Sequence, residues 1–381
     1  MIQQPFALLA FMFLVVALAR ALEQRFEWVR KISSAVVCTL LGITLANAGV
    51  IPKTSAIHEG IYDIAVPFTI VLVILASRLS DLKRAGWKLV LCFGLATAGS
   101  FAGAFAASLL FHTMLGPETW KMAGAYAGAF VGGGMNFAAV GRGLQMSPDL
   151  FAAAFVADNL STVPYLLAQV GLFTLLAPYY RKLPETIAVS PAAEGPPSYE
   201  DPRRYWTSAE ISITDLALLS ALPLGALYLS RLLSPLLPGF PEVLWLTTLA
   251  LIVAQVPWAR RLKGAAVFSY FSLHIFFIVI GANSDISEVV KAGVSVFAYM
   301  MTIVAIHAVI VYGMGWLLRA DLPTISIASQ AAVGGPGSAM ALAMAMKWNS
   351  LVTPGIIVGI FGYAIGNYVG FACSYALRGI L

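Results

Sequence analysis

The sequence predicts an all-α integral membrane protein of two inverted repeats, each with five transmembrane helices and one glycine-broken re-entrant hairpin. Three observations lead there. The 381-residue chain is 60% hydrophobic and only 11% charged, with mean hydropathy +0.85, where a soluble domain carries about a quarter charged residues. Apolar segments recur along its whole length, each long enough for one crossing of about 20 residues. Two of these segments are interrupted by glycine runs at corresponding places in the two halves of the chain.

In chain order the apolar segments cover residues 5–22, 33–51, 61–79, 87–113, 120–145, 149–178, 211–235, 242–258, 265–282, 288–318, 323–347 and 351–379. Met1 to Gln4 carry no basic residue, so the first segment is read as a retained span rather than a signal peptide. Residues 181–208, with Pro184, Pro191, Pro196, Pro197 and Pro202, read as a Pro-rich polar linker between an N-terminal repeat, 1–180, and a C-terminal repeat, 209–381. Cys38, Cys92 and Cys373 lie in apolar segments without disulfide or metal spacing. The net charge of +5 comes from short loops between spans, which argues against a nucleic-acid partner.

The halves share four features in the same order. Ser80-Asp81-Leu82 matches Ser284-Asp285-Ile286. Val131-Gly132-Gly133-Gly134 matches Val333-Gly334-Gly335-Pro336-Gly337. Polar breaks follow at Met146-Ser147-Pro148-Asp149 and Trp348-Asn349-Ser350, and then come Asp158-Asn159 and Gly366-Asn367. Charge orients the chain. If the glycine-broken segments enter and turn back, the basic clusters Arg20/Arg25/Arg30/Lys31, Arg78/Lys83/Arg84/Lys88, Arg181/Lys182/Arg203/Arg204 and Arg260/Arg261/Lys263 share one side. That gives five crossings per half, hence inverted repeats, with both termini extracytoplasmic in the cell inner (plasma) membrane. The alternative, twelve spans with two unwound helices, breaks the positive-inside rule.

The glycine breaks carry the chemistry. Each glycine costs roughly 1 kcal/mol in a helix interior, and Pro336 removes a backbone donor as well. A helix broken inside a bilayer needs partners for its freed polar groups, and half-helix ends suit an anion or carboxylate. Gly132, Gly133, Gly134, Gly334, Gly335 and Gly337 are therefore candidate substrate-binding positions, with Asn136 and Ser338 just past the breaks, Gln330 before the second, and Asn367. The alternative is close helix packing through small residues. Asp158, in the apolar run Phe151 to Leu160, is the candidate coupling residue with Asn159 beside it, for sodium or a proton. A carboxylate at the membrane centre costs about 2.5–3.5 kcal/mol; the alternative is a protonated Asp in one interhelical hydrogen bond. His274 and His307 either relay protons or bridge helices.

The stretches AYAGAFVGGGMNFAAV (125–140), VADNL (156–160), ASQAAVGGPGSAMALA (328–343) and GYAIGNYVG (362–370) resemble the integral membrane family of domain of unknown function 819. The resemblance covers essentially the whole chain. It implies membership of the cation:proton antiporter and anion transporter superfamily, with glutamate:sodium and citrate:sodium symporters whose inverted repeats carry Gly-Gly-X-Gly hairpin tips. Gly334-Gly335-Pro336-Gly337 fits that motif, while Gly132-Gly133-Gly134-Met135 departs at its last glycine. The resemblance further implies a homodimer with a scaffold and a mobile core, and places the acids of the antiporters near Asp158-Asn159.

The resulting expectation is a secondary active transporter for a small organic anion or amino-acid-like solute. It needs no cofactor beyond sodium or a proton, and its other partner is the lipid bilayer. A cation/proton antiporter without organic solute is the alternative. A non-transporting receptor would not need paired broken helices. An intramembrane aspartyl protease would need a second embedded acid, and a zinc enzyme clustered ligands, which His58, His112, His274 and His307 do not provide.

Overall fold

Helix signals in the sequence translate directly into elements. In the computed structural model, which describes residues 1–75, 79–180 and 209–381, every regular element among the described residues is a helix. The first half holds α1 (Pro5–Arg25), α2 (Glu27–Ile32), α3 (Ser34–Asn47), α4 (Ala56–Ile74), α5 (Leu82–Ala85), α6 (Trp87–Leu115), α7 (Thr119–Gly132), α8 (Gly134–Gly143) and α9 (Pro148–Leu176). The second holds α10 (Ile213–Leu233), α11 (Glu242–Ala254), α12 (Ala265–Ala282), α13 (Ile286–Leu317), α14 (Leu322–Ala345) and α15 (Val352–Arg378). The predicted linker and its basic residues lie outside the described residues, as does Arg78.

Several helix starts carry a side-chain cap for their free amide donors. Gln4 Oε1 accepts Ala7 N (2.6 Å), Ser55 Oγ accepts His58 N (3.1 Å) and Asp321 Oδ1 accepts Thr324 N (2.9 Å). Ser212 and Asp215 form a reciprocal capping box on α10. Among the described residues, eight helices are long and apolar enough to cross a membrane: α1, α4, α6, α9, α10, α12, α13 and α15. The apolar helices α3 and α11 are shorter, and neither glycine-broken element is among the eight.

Glycine sets how closely the helices approach. On α7, Gly124, Gly128 and Gly132 face Gly370, Gly366 and Gly362 of α15 in antiparallel order. A Cβ on Gly124 would lie 2.8 Å from Gly370 O, one on Gly128 3.2 Å from Gly366 O, and one on Gly132 2.6 Å from Gly362 O. Gly42 and Gly281 likewise press α3 and α12 together backbone to backbone. In lipid, where apolar side chains gain little by leaving the solvent, such close packing holds helices together.

At both glycine breaks the chain doubles back. Beside α7, the Cβ positions of Gly124 and Gly128 would meet Leu144 Cδ1 and Val140 Cγ2, each at 3.1 Å. Lys121 Nζ reaches Gln145 O (2.9 Å). A straight helix would hold Gly128 and Val140 about 18 Å apart. In α14, Ile327 and Ala339 flank the break by the same spacing, yet both lie against Gly355, at 2.7 and 3.5 Å from its Cβ position.

Candidate functional site

The two breaks have one geometry. Gly133 has φ 78° and ψ −174°, and Gly335 has φ 75° and ψ −174°. Both lie in the left-handed half of the map that favours glycine. Met135 in place of a fourth glycine therefore leaves the first tip with the geometry of the second. Phe130, just before the first break, also leaves the helical conformation (φ −81°, ψ 23°).

Helix α15 receives both tips. A Cβ on Gly359 would lie 2.7 Å from Pro336 Cα, and Gly362 lies under Val131 O. Between them, the ring of Tyr363 touches the two breaks at once: Cε1 is 3.7 Å from the Cβ position of Gly133, and the hydroxyl is 3.8 Å from that of Gly335. Sequence reading missed Tyr363, because one tyrosine in an apolar helix carries no local signal.

Two buried carboxamides stand at the tips. Asn136 Nδ2 donates to Tyr363 O (3.0 Å) and to Asn367 Oδ1 (2.8 Å), and Asn367 Nδ2 donates to Thr247 Oγ1 on α11 (2.9 Å). A backbone carbonyl only accepts, so this fixes the orientation of the Asn136 amide. Its Oδ1, packed against Gly132, is left without a partner among the described residues. Gln330 is fully buried beside the second break, its Nε2 2.7 Å from the Cβ position of Gly334. Neither of its side-chain polar atoms has a partner among the described residues. Ser338 Oγ donates to Gly335 O (3.0 Å), and a Cβ on Gly337 would meet nothing within 4 Å. A polar group buried without a partner is costly.

The acidic pair divides. Asp158 lies on α9, one turn from Phe155. The Phe155 ring is 3.3 Å from the Cβ position of Gly134 and stacks on Phe277 at 3.8 Å. Asp158 is buried, and its carboxylate has no ion-pair partner among the described residues. Asn159 points elsewhere: its Nδ2 donates to Phe155 O (2.9 Å) and its Oδ1 accepts from Ser33 Oγ (3.2 Å). The structure thus gathers Gly132, Gly133, Gly134, Asn136, Gln330, Gly334, Gly335, Ser338 and Asn367 about Tyr363 and leaves Asn159 outside.

Other polar residues serve neighbouring contacts. His274 bridges Ser34 Oγ (2.8 Å) and Tyr270 O (2.7 Å). Arg142 Nε donates to Tyr62 O (2.7 Å), and its guanidinium lies over the Tyr62 ring. At the base of the first break, Glu118 accepts from Lys121 Nζ (2.5 Å) and Ser147 N (3.0 Å), clasping the start of α7 to the chain beyond α8. Burial raises the Glu118 carboxyl, but those hydrogen bonds lower it more, leaving it below the usual carboxylate range. Among the described residues no cluster of three or more His, Cys, Asp or Glu could hold a metal ion.

Comparison with known proteins bears on the whole chain. It is 28% identical over 369 residues to "Uncharacterized membrane protein YjcL" of Bacillus subtilis (strain 168), covering 93% of this chain and 92% of that one. The family described as "Protein of unknown function (DUF819)" matches residues 10–380. The chain is therefore a multi-pass, all-helical membrane protein that belongs to the DUF819 family.

Proposed function

We propose that the protein is a secondary active transporter that carries a small organic anion or amino-acid-like solute, coupled to sodium or a proton, by alternating access. One observation carries this reading: two glycine breaks of the same left-handed geometry meet at Tyr363, each with a buried carboxamide atom lacking a partner among the described residues. The starts of α8 and of the second half of α14 bring positive dipole ends to that point. A solute with acceptor oxygens and donor hydrogens would complete Asn136 and Gln330.

The doubled-back chain at each break supports re-entrant hairpins. With α3 and α11 added to the eight long helices, each half then has five crossings, and an odd number inverts the second repeat. On this reading both termini face outward from the inner membrane, and the protein works as a homodimer. A second reading, cation/proton antiport without solute, is favoured by the buried carboxylate of Asp158, which has no ion-pair partner among the described residues.

The test is purified protein in proteoliposomes, screened for current and radiolabelled uptake with small carboxylates and amino acids under imposed sodium or proton gradients. Ion-dependent solute uptake that is lost in Asp158→Asn is the expected result. Gradient-driven cation exchange without solute would select the antiporter, and neither activity under any gradient would overturn both readings.

A further inference from the structure

A buried chain of hydrogen bonds joins the two glycine breaks through five helices. Ser100 Oγ on α6 donates to the carbonyl of Phe130 on α7 (2.6 Å). His307 Nδ1 on α13 lies 3.0 Å from Ser100 Oγ, and its Nε2 lies 2.9 Å from Ser329 Oγ on α14. Tyr165 Oη on α9 lies 2.6 Å from the same Ser329 oxygen. All four side chains are buried. Phe130 is the non-helical residue before the first break, and Ser329 adjoins Gln330 at the second.

The hydrogens can be assigned from one end. A carbonyl only accepts, so the hydroxyl hydrogen of Ser100 goes to Phe130. Ser100 then accepts from His307, which places a hydrogen on Nδ1 and leaves Nε2 as an acceptor. Ser329 gives its hydrogen to Nε2 and accepts from Tyr165. With the ring neutral, every bond runs in one direction, from Tyr165 to Phe130, and Nδ1–H is the tautomer that satisfies all four. Each group has one hydrogen to give and it is committed, so no bond can reverse alone. Such chains also polarise one another. Close packing of α6 fixes the ring, since a Cβ on Gly99 would lie 3.4 Å from His307 Nδ1.

We infer that His307 is a positioning residue that couples the two glycine breaks, so that a change in hydrogen bonding at one is transmitted to the other. The proposal does not depend on any transported solute and stands or falls separately from the transport reading.

Hydrogen exchange of the full chain in lipid nanodiscs tests it. Ser100→Ala touches the first break alone, yet coupling predicts about tenfold faster exchange both in residues 127–139 and in residues 329–341. Ser329→Ala is expected to do the same from the other side. In a His307→Phe background, Ser100→Ala no longer affects residues 329–341. Effects confined to the nearer break, or unchanged in that background, would overturn the coupling. Nitrogen NMR of histidine-labelled protein, assigned by difference with His307→Phe, reads the tautomer independently: a neutral Nδ1–H ring is expected, and an Nε2–H ring contradicts the chain.

Discussion

Gly133 and Gly335 hold the same left-handed backbone to within a few degrees, and both rest against one ring, that of Tyr363. Glycine at both positions brings two broken helices to one point in a conformation open to it without steric strain. Substitution by Ala at either position forces a Cβ into a backbone region that is essentially glycine-only, at roughly 1–3 kcal/mol each. Gly133→Ala and Gly335→Ala are expected to lower the unfolding temperature in detergent. Gly337→Ala, with negative φ and open space at its Cβ position, is expected to leave it unchanged. Thermal unfolding of the three variants side by side decides.

The glycine ladder between α7 and α15 is a separate requirement. At Gly366 a methyl group would come 2.8 Å from Asn136 Nδ2 and 2.9 Å from Gly128 O. Gly366→Ala should destabilise by about 1–3 kcal/mol through overpacking. Gly171 on α9, where a Cβ meets nothing within 4 Å, is the control: Gly171→Ala should be neutral or slightly stabilising in the same melt.

Asp158 sets function against stability. A buried carboxylate with no ion-pair partner among the described residues is a burden on the folded state, so Asp158→Asn should unfold at the same temperature as wild type or higher. Ion-coupled uptake in proteoliposomes should nevertheless vanish. A variant that transports normally would remove Asp158 from the coupling role.

The clasp at the base of the first break makes a pH prediction. Glu118 is held below its usual value by Lys121 and Ser147. A carboxyl with a depressed folded value contributes stability above its unfolded value, about 4.3 for Glu. That contribution is lost as pH falls through the folded value. Exchange protection around residues 118–121 and 144–147 should therefore decline between about pH 5 and about pH 3 in wild type. Glu118→Gln should show low protection throughout, with no such decline.

Much of this architecture is legible in the sequence, for a physical reason. Membrane helices are long apolar runs, so each predicted segment reappears as one helix, except that 120–145 becomes α7 and α8, split at Gly133. The breaks at Gly133 and Gly335 are legible because glycine runs and proline weaken a helix just where lipid offers no water to the freed backbone groups. What faces what is far less legible. A helix apolar all round does not show which side packs inward, so neither Tyr363 between the tips nor Thr247 beneath Asn367 could be placed. Close-packed faces do leave a trace, in the four-residue spacing of Gly124, Gly128 and Gly132 and in that of Gly362, Gly366 and Gly370. Asn159 shows the converse. It neighbours Asp158 in sequence, but one step along a helix turns it by about 100°, toward Ser33 and away from the tips.

The central claim is that the two breaks form one site open alternately to each side of the membrane. A single cysteine at Gly337 reports on it, because its Cβ position beside the second break is unobstructed. The buried Cys38, Cys92 and Cys373 would first be replaced. With Gly337→Cys in sealed, oriented vesicles, a membrane-impermeant maleimide is applied to one side or the other, with and without sodium or proton gradients. The account predicts labelling from both sides, with the gradient shifting which side dominates. Labelling from one side only, whatever the gradient, would contradict it.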